Sequence, residues 1–156
     1  MEQEKMNDRK VIVFQLADEE YAIPVQQVSN IERMEPITRV PQTDAFVKGV
    51  INMRGVVTPI IDLRTRFNLP EKEYNNSTRI IIVHVNDLEV GLIVDAANDV
   101  IDIPESMIEP APEVIGTIDV DYIEGVAKFE KRLFILLNLQ KVLSLDEIDE
   151  LKKVEG

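Results

Sequence analysis

The chain has 156 residues, of which 45% are hydrophobic, so it can bury a core as one domain or as two small coupled halves. Cysteine is absent, which excludes disulfides, thiolate nucleophiles and thiolate metal sites. The formal net charge of −12 disfavours binding to nucleic acid or anionic lipid, and no apolar run approaches the ~20 residues that span a bilayer. The composition therefore predicts a soluble intracellular protein.

The predicted elements are mostly short strands. Residues 1–10 form a polar leader without the apolar stretch of a signal peptide. From residue 11 onward, short runs rich in Val and Ile recur between turn signals, which favours β-structure. The expected strands span residues 11–17, 20–24, 37–40, 47–53 and 56–61 in the first half, and 79–86, 88–94, 99–104, 122–129 and 132–138 in the second. Five short strands per half suit a small closed or partly open barrel, which hides sheet edges.

Turn and helix signals lie between these runs. Asp18-Glu19 and Asn86-Asp87 suit hairpin turns, because Asn and Asp tolerate tight-turn backbone geometry. Pro24 often opens helices, and the spacing of the apolar residues after it predicts one or two helical turns carrying Val25, Val28 and Ile31 on one face.

Two further short helices are expected. Asp62 is a suitable cap for a helix with Leu63 and Phe67 on one side, ended by Asn68 and Pro70. Residues 144–156 are predicted to form a C-terminal helix, because they open with a capping-box pattern and carry an apolar stripe.

The chain contains an internal repeat. A shift of 69 positions places residues 11–16 on residues 80–85, and a shift of 76 places residues 46–50 on residues 122–126, so the second copy carries seven extra residues in its middle. The approximate halves are 11–70 and 79–143. Each half alone would be marginal in size, and we therefore expect them to share apolar surface.

The copies differ at one turn. Residues 52–55 read Asn-Met-Arg-Gly, whereas residues 128–131 read Lys-Phe-Glu-Lys. Gly55 suits positive φ and Asn52 can bond to the local backbone, so a tight hairpin explains both. A tight hairpin does not explain Arg54, whose guanidinium could hold a carboxylate within the protein or on a partner.

No catalytic constellation emerges from the spacing. His84, the only histidine, lies inside a strand run, and no Gly-rich phosphate motif occurs. Two alternatives stay open. A pair of carboxylates in the cleft between the halves would make the chain a small hydrolase. Basic residues are concentrated in the first half, and they are either ordinary solvated charges or a contact face for an acidic protein. They are Arg33, Arg39, Lys48, Arg54, Arg64 and Arg66.

Several linked stretches resemble one family. They cover residues 13–16 with 20–23, 28–32, 46–56, 59–64, 91–95, 108–112, 122–125 and 133–138. In these stretches the chain resembles the CheW family of bacterial chemotaxis coupling proteins, and the resemblance spans about residues 11–143.

The resemblance implies two SH3-like five-stranded β-barrels packed on a shared apolar core. It implies a non-catalytic cytoplasmic adaptor without cofactor or metal, recruited to membrane-associated arrays. The implied partners are the cytoplasmic tip of transmembrane chemoreceptors and the histidine kinase CheA, through its CheW-like regulatory domain. The chain is too short for a fused receiver domain, and Met1 with the polar leader favours an intact protein over a kinase fragment.

The resemblance also assigns candidate site residues. Those matching positions of receptor binding or coupling are Val28, Ile31, Glu32, Asn52, Arg54 and Gly55. The ends of the barrels would contact the kinase, and the resemblance identifies no individual residue for that contact.

Overall fold

The fold is mainly β. The computed structural model describes residues 8–41, 47–111 and 120–143. The strands in these ranges are β1 (Asp8–Leu16), β2 (Glu19–Pro24), β3 (Val28–Arg33), β4 (Val47–Met53), β5 (Val56–Asp62), β6 (Arg79–Val85), β7 (Leu88–Val94), β8 (Ala96–Pro104), β9 (Ile108–Glu109), β10 (Ile123–Phe129) and β11 (Arg132–Leu137). Two short helices, α1 (Leu63–Arg66) and α2 (Leu139–Leu143), and 3-10 turns at Val25–Gln27, Glu105–Met107 and Val120–Tyr122 accompany them. No helix in the described ranges is long and apolar enough to cross a membrane.

The strands form two sheets, each built from both copies of the repeat. The first sheet has the order β3-β6-β7-β5-β4, and the second has the order β8-β1-β2-β11-β10-β9. The β1–β2 hairpin of the first copy pairs with β8 and β11 of the second copy. In return, the β6–β7 hairpin of the second copy pairs with β3 and β5 of the first. The copies thus exchange their first hairpins, so neither half holds a complete sheet of its own.

The two sheets repeat the same register. Ile12 in β1 pairs with Val100 in β8. The residues at the equivalent positions of the other copy, 69 positions away, are Ile81 in β6 and Ile31 in β3, and these two also pair. A β-bulge interrupts both pairings at equivalent places, one residue before Asn30 in β3 and one before Asp99 in β8. The repeat therefore extends to backbone detail.

Equivalent glycines allow a close backbone approach in both sheets. A Cβ atom on Gly49, whose φ is +144°, would lie 2.1 Å from the carbonyl oxygen of Thr38. A Cβ on Gly125, 76 positions later, would lie 2.8 Å from the carbonyl oxygen of Glu109. Both contacts are too short for any residue with a side chain, which explains why glycine occupies both positions.

Three apolar cores lie around the sheets. The central core joins the facing surfaces of both sheets and includes Phe14, Tyr21, Phe67, Leu92, Ile135 and Leu137. Separate cores cover the opposite faces, with Val13, Ile103 and Phe134 on the second sheet and Ile51, Ile60 and Ile80 on the first. The middle of β1 (residues 11–14) and of β6 (residues 80–83) is buried on both faces, so these segments are continuously apolar instead of alternating. The expected shared apolar core is confirmed.

Most predicted elements are present. Nine of the ten expected strands occur with bounds shifted by at most three residues, and both β4 and β7 have the expected bounds. The predicted helix at Asp62 is also confirmed, since the Asp62 carboxylate accepts a hydrogen bond of 2.9 Å from the backbone N–H of Arg64. The mainly β fold with two packed sheets agrees with the class expected from the sequence.

Several local predictions were wrong. The helix predicted to carry Val25, Val28 and Ile31 is a single 3-10 turn followed by β3. The strand predicted at 37–40 is reduced to one bridge between Thr38 and Val50, and the short strand β9 was not expected.

The bounds of some predicted elements also differ from those in the structure. The first hairpin turn lies at residues 17–18, one position earlier than predicted. Strand β1 begins at Asp8, inside the expected leader. The C-terminal helix predicted for 144–156 lies outside the described residues.

Candidate partner-binding site

The turn between β4 and β5 has well-defined geometry. Arg54 and Gly55 have φ values of 55° and 84°, the positive pair that a two-residue hairpin requires. The backbone N–H of Gly55 donates a hydrogen bond of 3.0 Å to the side-chain oxygen of Asn52. The roles predicted for Asn52 and Gly55 in shaping a tight hairpin are therefore confirmed.

The Arg54 side chain is exposed on this turn. Among the described residues it has no hydrogen-bond or ion-pair partner, so its guanidinium does not stabilise the hairpin from within. The planar group is free to bind a carboxylate in a two-point contact.

The equivalent turn of the second copy keeps the backbone and changes the side chains. Glu130 and Lys131 have φ values of 52° and 68°, close to those of Arg54 and Gly55. The hairpin conformation is therefore common to both copies, although the second lacks glycine. What separates the two turns is the charge that each presents, positive at Arg54 and negative at Glu130.

Val28 and Ile31 lie on the same face of the edge strand β3. They pair with Val83 and Ile81, which both belong to the central core. The bulge before Asn30 inserts one residue, and this is why two positions three apart share a face of a strand. Val28 packs against the central core, whereas Ile31 is 40% exposed and offers apolar surface beside that core.

Glu32 lies on the other face of β3. It pairs with Ile80, which belongs to the outer core of the first sheet, and its carboxylate accepts a hydrogen bond from the side-chain amide of Asn30. The structure therefore separates Glu32 from Val28 and Ile31.

The six predicted residues fall into two groups on one sheet. Val28, Ile31 and Glu32 lie on β3, and Asn52, Arg54 and Gly55 lie at the β4–β5 hairpin, with β3 and β4 at opposite ends of the strand order. The first sheet thus carries the complete set.

Two exposed valines next to the turn were missed from the sequence. Val56 and Val57, the first residues of β5, are 51% and 44% exposed. A pair of adjacent valines directly after an Arg-Gly turn was the available signal, because one of two successive strand residues normally faces a core. They extend the exposed surface around Arg54 with apolar area.

Half of the basic residues in the first half have partners within the protein. Arg64 binds Asp95 through two hydrogen bonds of 2.6 and 2.7 Å, Arg66 donates to the carbonyl oxygen of Val142, and Lys48 lies 3.9 Å from Glu71. Of the six, Arg33, Arg39 and Arg54 are exposed and have no such partner within the described ranges.

The Arg64–Asp95 pair joins the ends of β5 and β7 in the first sheet, and Asp95 also bonds to the end of β1 in the second sheet. Arg64 follows β5 of the first sheet, and Asp95 lies between β7 and β8 and also accepts a 2.8 Å hydrogen bond from the backbone N–H of Ala17. Burial raises the pKa of Asp95, but the hydrogen bonds from Arg64 and Ala17 outweigh burial, and the pKa lies below its ordinary value.

Groups with catalytic potential have structural partners. His84 is exposed, and its Nδ1 lies 3.0 Å from the hydroxyl of Ser29. Asp62 caps α1 and accepts a 2.8 Å hydrogen bond from the Tyr74 hydroxyl. In the part of the chain that the structure describes, no three His, Asp or Glu side chains are grouped so that they could hold a metal ion.

Comparison with known proteins gives one consistent result. The sequence model of the CheW-like domain matches residues 10–147. The chemotaxis protein CheW of Bacillus subtilis is 52% identical over 134 residues, which cover 86% of each chain. The chemotaxis protein CheW of Klebsiella aerogenes is 36% identical over 140 residues, covering 90% of this chain and 84% of that protein.

A solved structure has the same fold. The crystal structure of the scaffolding protein CheW from Thermoanaerobacter tengcongensis aligns with a TM-score of 0.82 and 38% sequence identity. The alignment covers 86% of this chain and 92% of that one.

Proposed function

The chain belongs to the CheW family of chemotaxis proteins, and we propose that it is a non-catalytic adaptor coupling transmembrane chemoreceptors to the histidine kinase CheA. In this role it binds the cytoplasmic tip of a receptor and the CheW-like regulatory domain of the kinase. It is a cytoplasmic protein that membrane-associated receptor arrays recruit.

The observation that carries this proposal is the exposed guanidinium of Arg54 on an ordered hairpin. Gly55 and Asn52 contribute to the conformation of the hairpin, whereas the arginine side chain takes no part in it. An arginine fixed at the tip of a rigid turn loses little backbone freedom on binding, which favours a specific charged contact.

The apolar part of the site supports a helical partner. A receptor tip is a helical hairpin, and an amphipathic helix binds by laying apolar side chains into a groove. Val28 and Ile31 lie side by side at the edge of the central core, with Ile31 partly exposed. We assign them the apolar contact, and we assign Arg54 a charged contact that fixes the orientation of the partner.

The test compares equivalent positions in the two copies. Arg54→Ala should lower receptor-dependent CheA autophosphorylation about tenfold or more in reconstituted receptor membranes, because a charge-assisted hydrogen-bond pair contributes about 1.5–3 kcal/mol. Glu130→Ala changes a charged residue with φ of 52° at the matching turn and serves as the control. It should leave the activity within about twofold of the wild type.

Two results would contradict the proposal. One is that Arg54→Ala supports the same receptor-dependent CheA autophosphorylation as the wild type and has the same thermal unfolding temperature. The other is an equal loss in both variants, which would indicate a general effect of altering hairpin turns. A pull-down with the receptor tip and the kinase regulatory domain adds a direct measurement, because a small hydrolase has no reason to bind both.

A further inference from the structure

Two arginines lie directly opposite each other at the end of the first sheet. Arg33, the last residue of β3, pairs with Arg79, the first residue of β6. Directly opposed residues of neighbouring strands point to the same face, and like charges in such pairs are destabilising. The pair therefore carries a cost that the sheet itself does not offset.

The second sheet provides an internal comparison. The residues displaced by 69 positions from Arg33 and Arg79 are Asp102 and Lys10, and these also pair directly, between β8 and β1. Opposite charges in that arrangement are more favourable than like charges, although Lys10 and Asp102 form no ion pair within 4 Å in the described structure. The same backbone position thus has a carboxylate in one sheet and lacks it in the other.

The arginine pair lies at an open surface recess. The Nη1 atom of Arg79 donates to the carbonyl oxygens of Asn76 and Thr78 at 2.8 and 2.9 Å, which fixes its position. Arg33 is exposed and, within the described residues, has no hydrogen-bond or ion-pair partner. Both arginines line a surface recess of about 500 Å³, together with Met34, Asn75, Asn76 and Thr78.

The recess lies at the end of strand β3, because Arg33, which lines it, is the last residue of that strand. Arg33 follows Ile31 by two residues and shares its face of the strand, so the charged recess continues the apolar edge. A segment packed along this edge would place an apolar side chain on Ile31 and a side chain from its next turn near Arg33.

We propose that Arg33 and Arg79 bind a carboxylate, supplied by an acidic side chain of a protein partner docked along β3. The identity of that partner as a receptor tip rests on the proposed function, whereas the anion site does not. The incoming carboxylate takes the place that Asp102 occupies in the second sheet, and two guanidinium groups can each donate paired hydrogen bonds to it.

The site is tested on the isolated protein with an acetylated, amidated tetraglutamate peptide at about 0.1 M salt, where long-range charge is screened beyond ~10 Å. NMR titration of the arginine Nε–Hε signals should show saturable shifts at Arg33 and Arg79. Arg33→Asp should weaken binding at least tenfold, because it supplies the missing carboxylate internally. Arg39→Asp makes the same charge change at another exposed arginine, and it should stay within about twofold of the wild type.

Stability gives a second readout. Arg33→Asp should raise the urea midpoint of unfolding, since Arg79 then gains the opposed acid that Lys10 has in Asp102. Arg39→Asp should not raise it. An unchanged or lower midpoint for Arg33→Asp would show that the arginine pair is not a strained, incomplete site.

The remaining outcomes are equally decisive. If Arg33→Asp and Arg39→Asp weaken peptide binding equally, the binding depends only on net charge, and the proposal is overturned. Saturable binding of inorganic phosphate without binding of the peptide would assign the recess to phosphate and overturn it as well. If the peptide binds as expected but the receptor tip binds neither the wild type nor Arg33→Asp, the anion site stands and the proposed function fails.

Discussion

Replacing Asp95 by Asn should destabilise the fold by breaking the ion pair with Arg64 at the ends of β5 and β7, two neighbouring strands of the first sheet. The substitution removes the charge that Arg64 binds through two hydrogen bonds, while the new amide oxygen can still accept from the N–H of Ala17. A fully buried pair that loses one partner costs ~3–5 kcal/mol, and an exposed pair costs less than ~1 kcal/mol. The side chains of Arg64 and Asp95 are 13% and 14% exposed, near the buried limit.

We therefore expect a loss of about 2–3 kcal/mol at pH 7, or about 5–10 °C in the unfolding temperature of a chain of this size. The assay is urea unfolding followed by circular dichroism. Asp99→Asn is the matched control, because Asp99 is 50% exposed and lies 3.3 Å from Arg132 in a surface pair. It should cost less than about 1 kcal/mol.

The pH dependence of this loss of stability tests whether the charge of Asp95 causes it. The pKa of Asp95 is lowered in the folded state, so the stabilisation is present above the ordinary aspartate pKa of about 4 and is lost as the pH falls through the lowered value. The difference between wild type and Asp95→Asn should shrink as the pH falls below about 4. A difference that stays constant as the pH falls, or a loss no larger than that of Asp99→Asn, would refute the reasoning.

Two further predictions concern backbone geometry and helix capping. Gly49→Ala should destabilise by more than about 3 kcal/mol, because its Cβ would lie 2.1 Å from the carbonyl oxygen of Thr38. Gly55→Ala has open space around it and should cost only about 1 kcal/mol for its φ of 84°; similar losses in urea unfolding would contradict this contrast. Asp62→Ala should cost about 1–2 kcal/mol through loss of the helix cap. Tyr74→Phe, which removes only the hydroxyl bound to Asp62, should cost less, and the reverse order in the same assay would count against the capping role.

The strands with regular alternation or continuous apolar runs could be predicted from the sequence, whereas β3 could not. The bulge in β3 lies between Val28 and Asn30, and it gives Val28 and Ile31 a same-face spacing of three. A spacing of three is also the spacing of a helix, and Pro24 added a helix-start signal that the 3-10 turn satisfies. Local pattern alone does not separate a bulged edge strand from a short helix.

The contacts between the copies depend on distances that no local pattern encodes. The repeat predicted two equivalent halves, yet the exchange of the β1–β2 and β6–β7 hairpins follows from which strands meet in space. The same applies to Arg64 and Asp95, which are 31 positions apart and meet only because α1 and the β7–β8 junction are adjacent. For the candidate site, Arg54 could be identified from the sequence because the equivalent turn of the second copy has Glu130 in its place, so a hairpin at this position does not require an arginine.

Differences between equivalent positions suggest how the two sheets divide their roles. In the second sheet, Arg132 binds Glu20 and Asp99, and its guanidinium lies over the ring of Phe134 at 4.8 Å. Its counterpart in the first sheet is Val56, which is exposed.

A similar contrast separates other arginines of the two sheets, although these do not occupy equivalent positions. Arg9 of the second sheet binds both Glu105 and Glu124, whereas Arg33 and Arg54 of the first sheet lack such partners within the described residues. Two copies that share register, bulges and turn geometry have no folding requirement to differ in this way. An arginine that binds a carboxylate of its own sheet stabilises that sheet, and one left exposed beside apolar surface does not. We therefore infer that Arg33 and Arg54 of the first sheet receive the acidic groups of a partner, whereas apolar exposure does not distinguish the sheets, since Val100 and Leu133 of the second are 59% and 49% exposed.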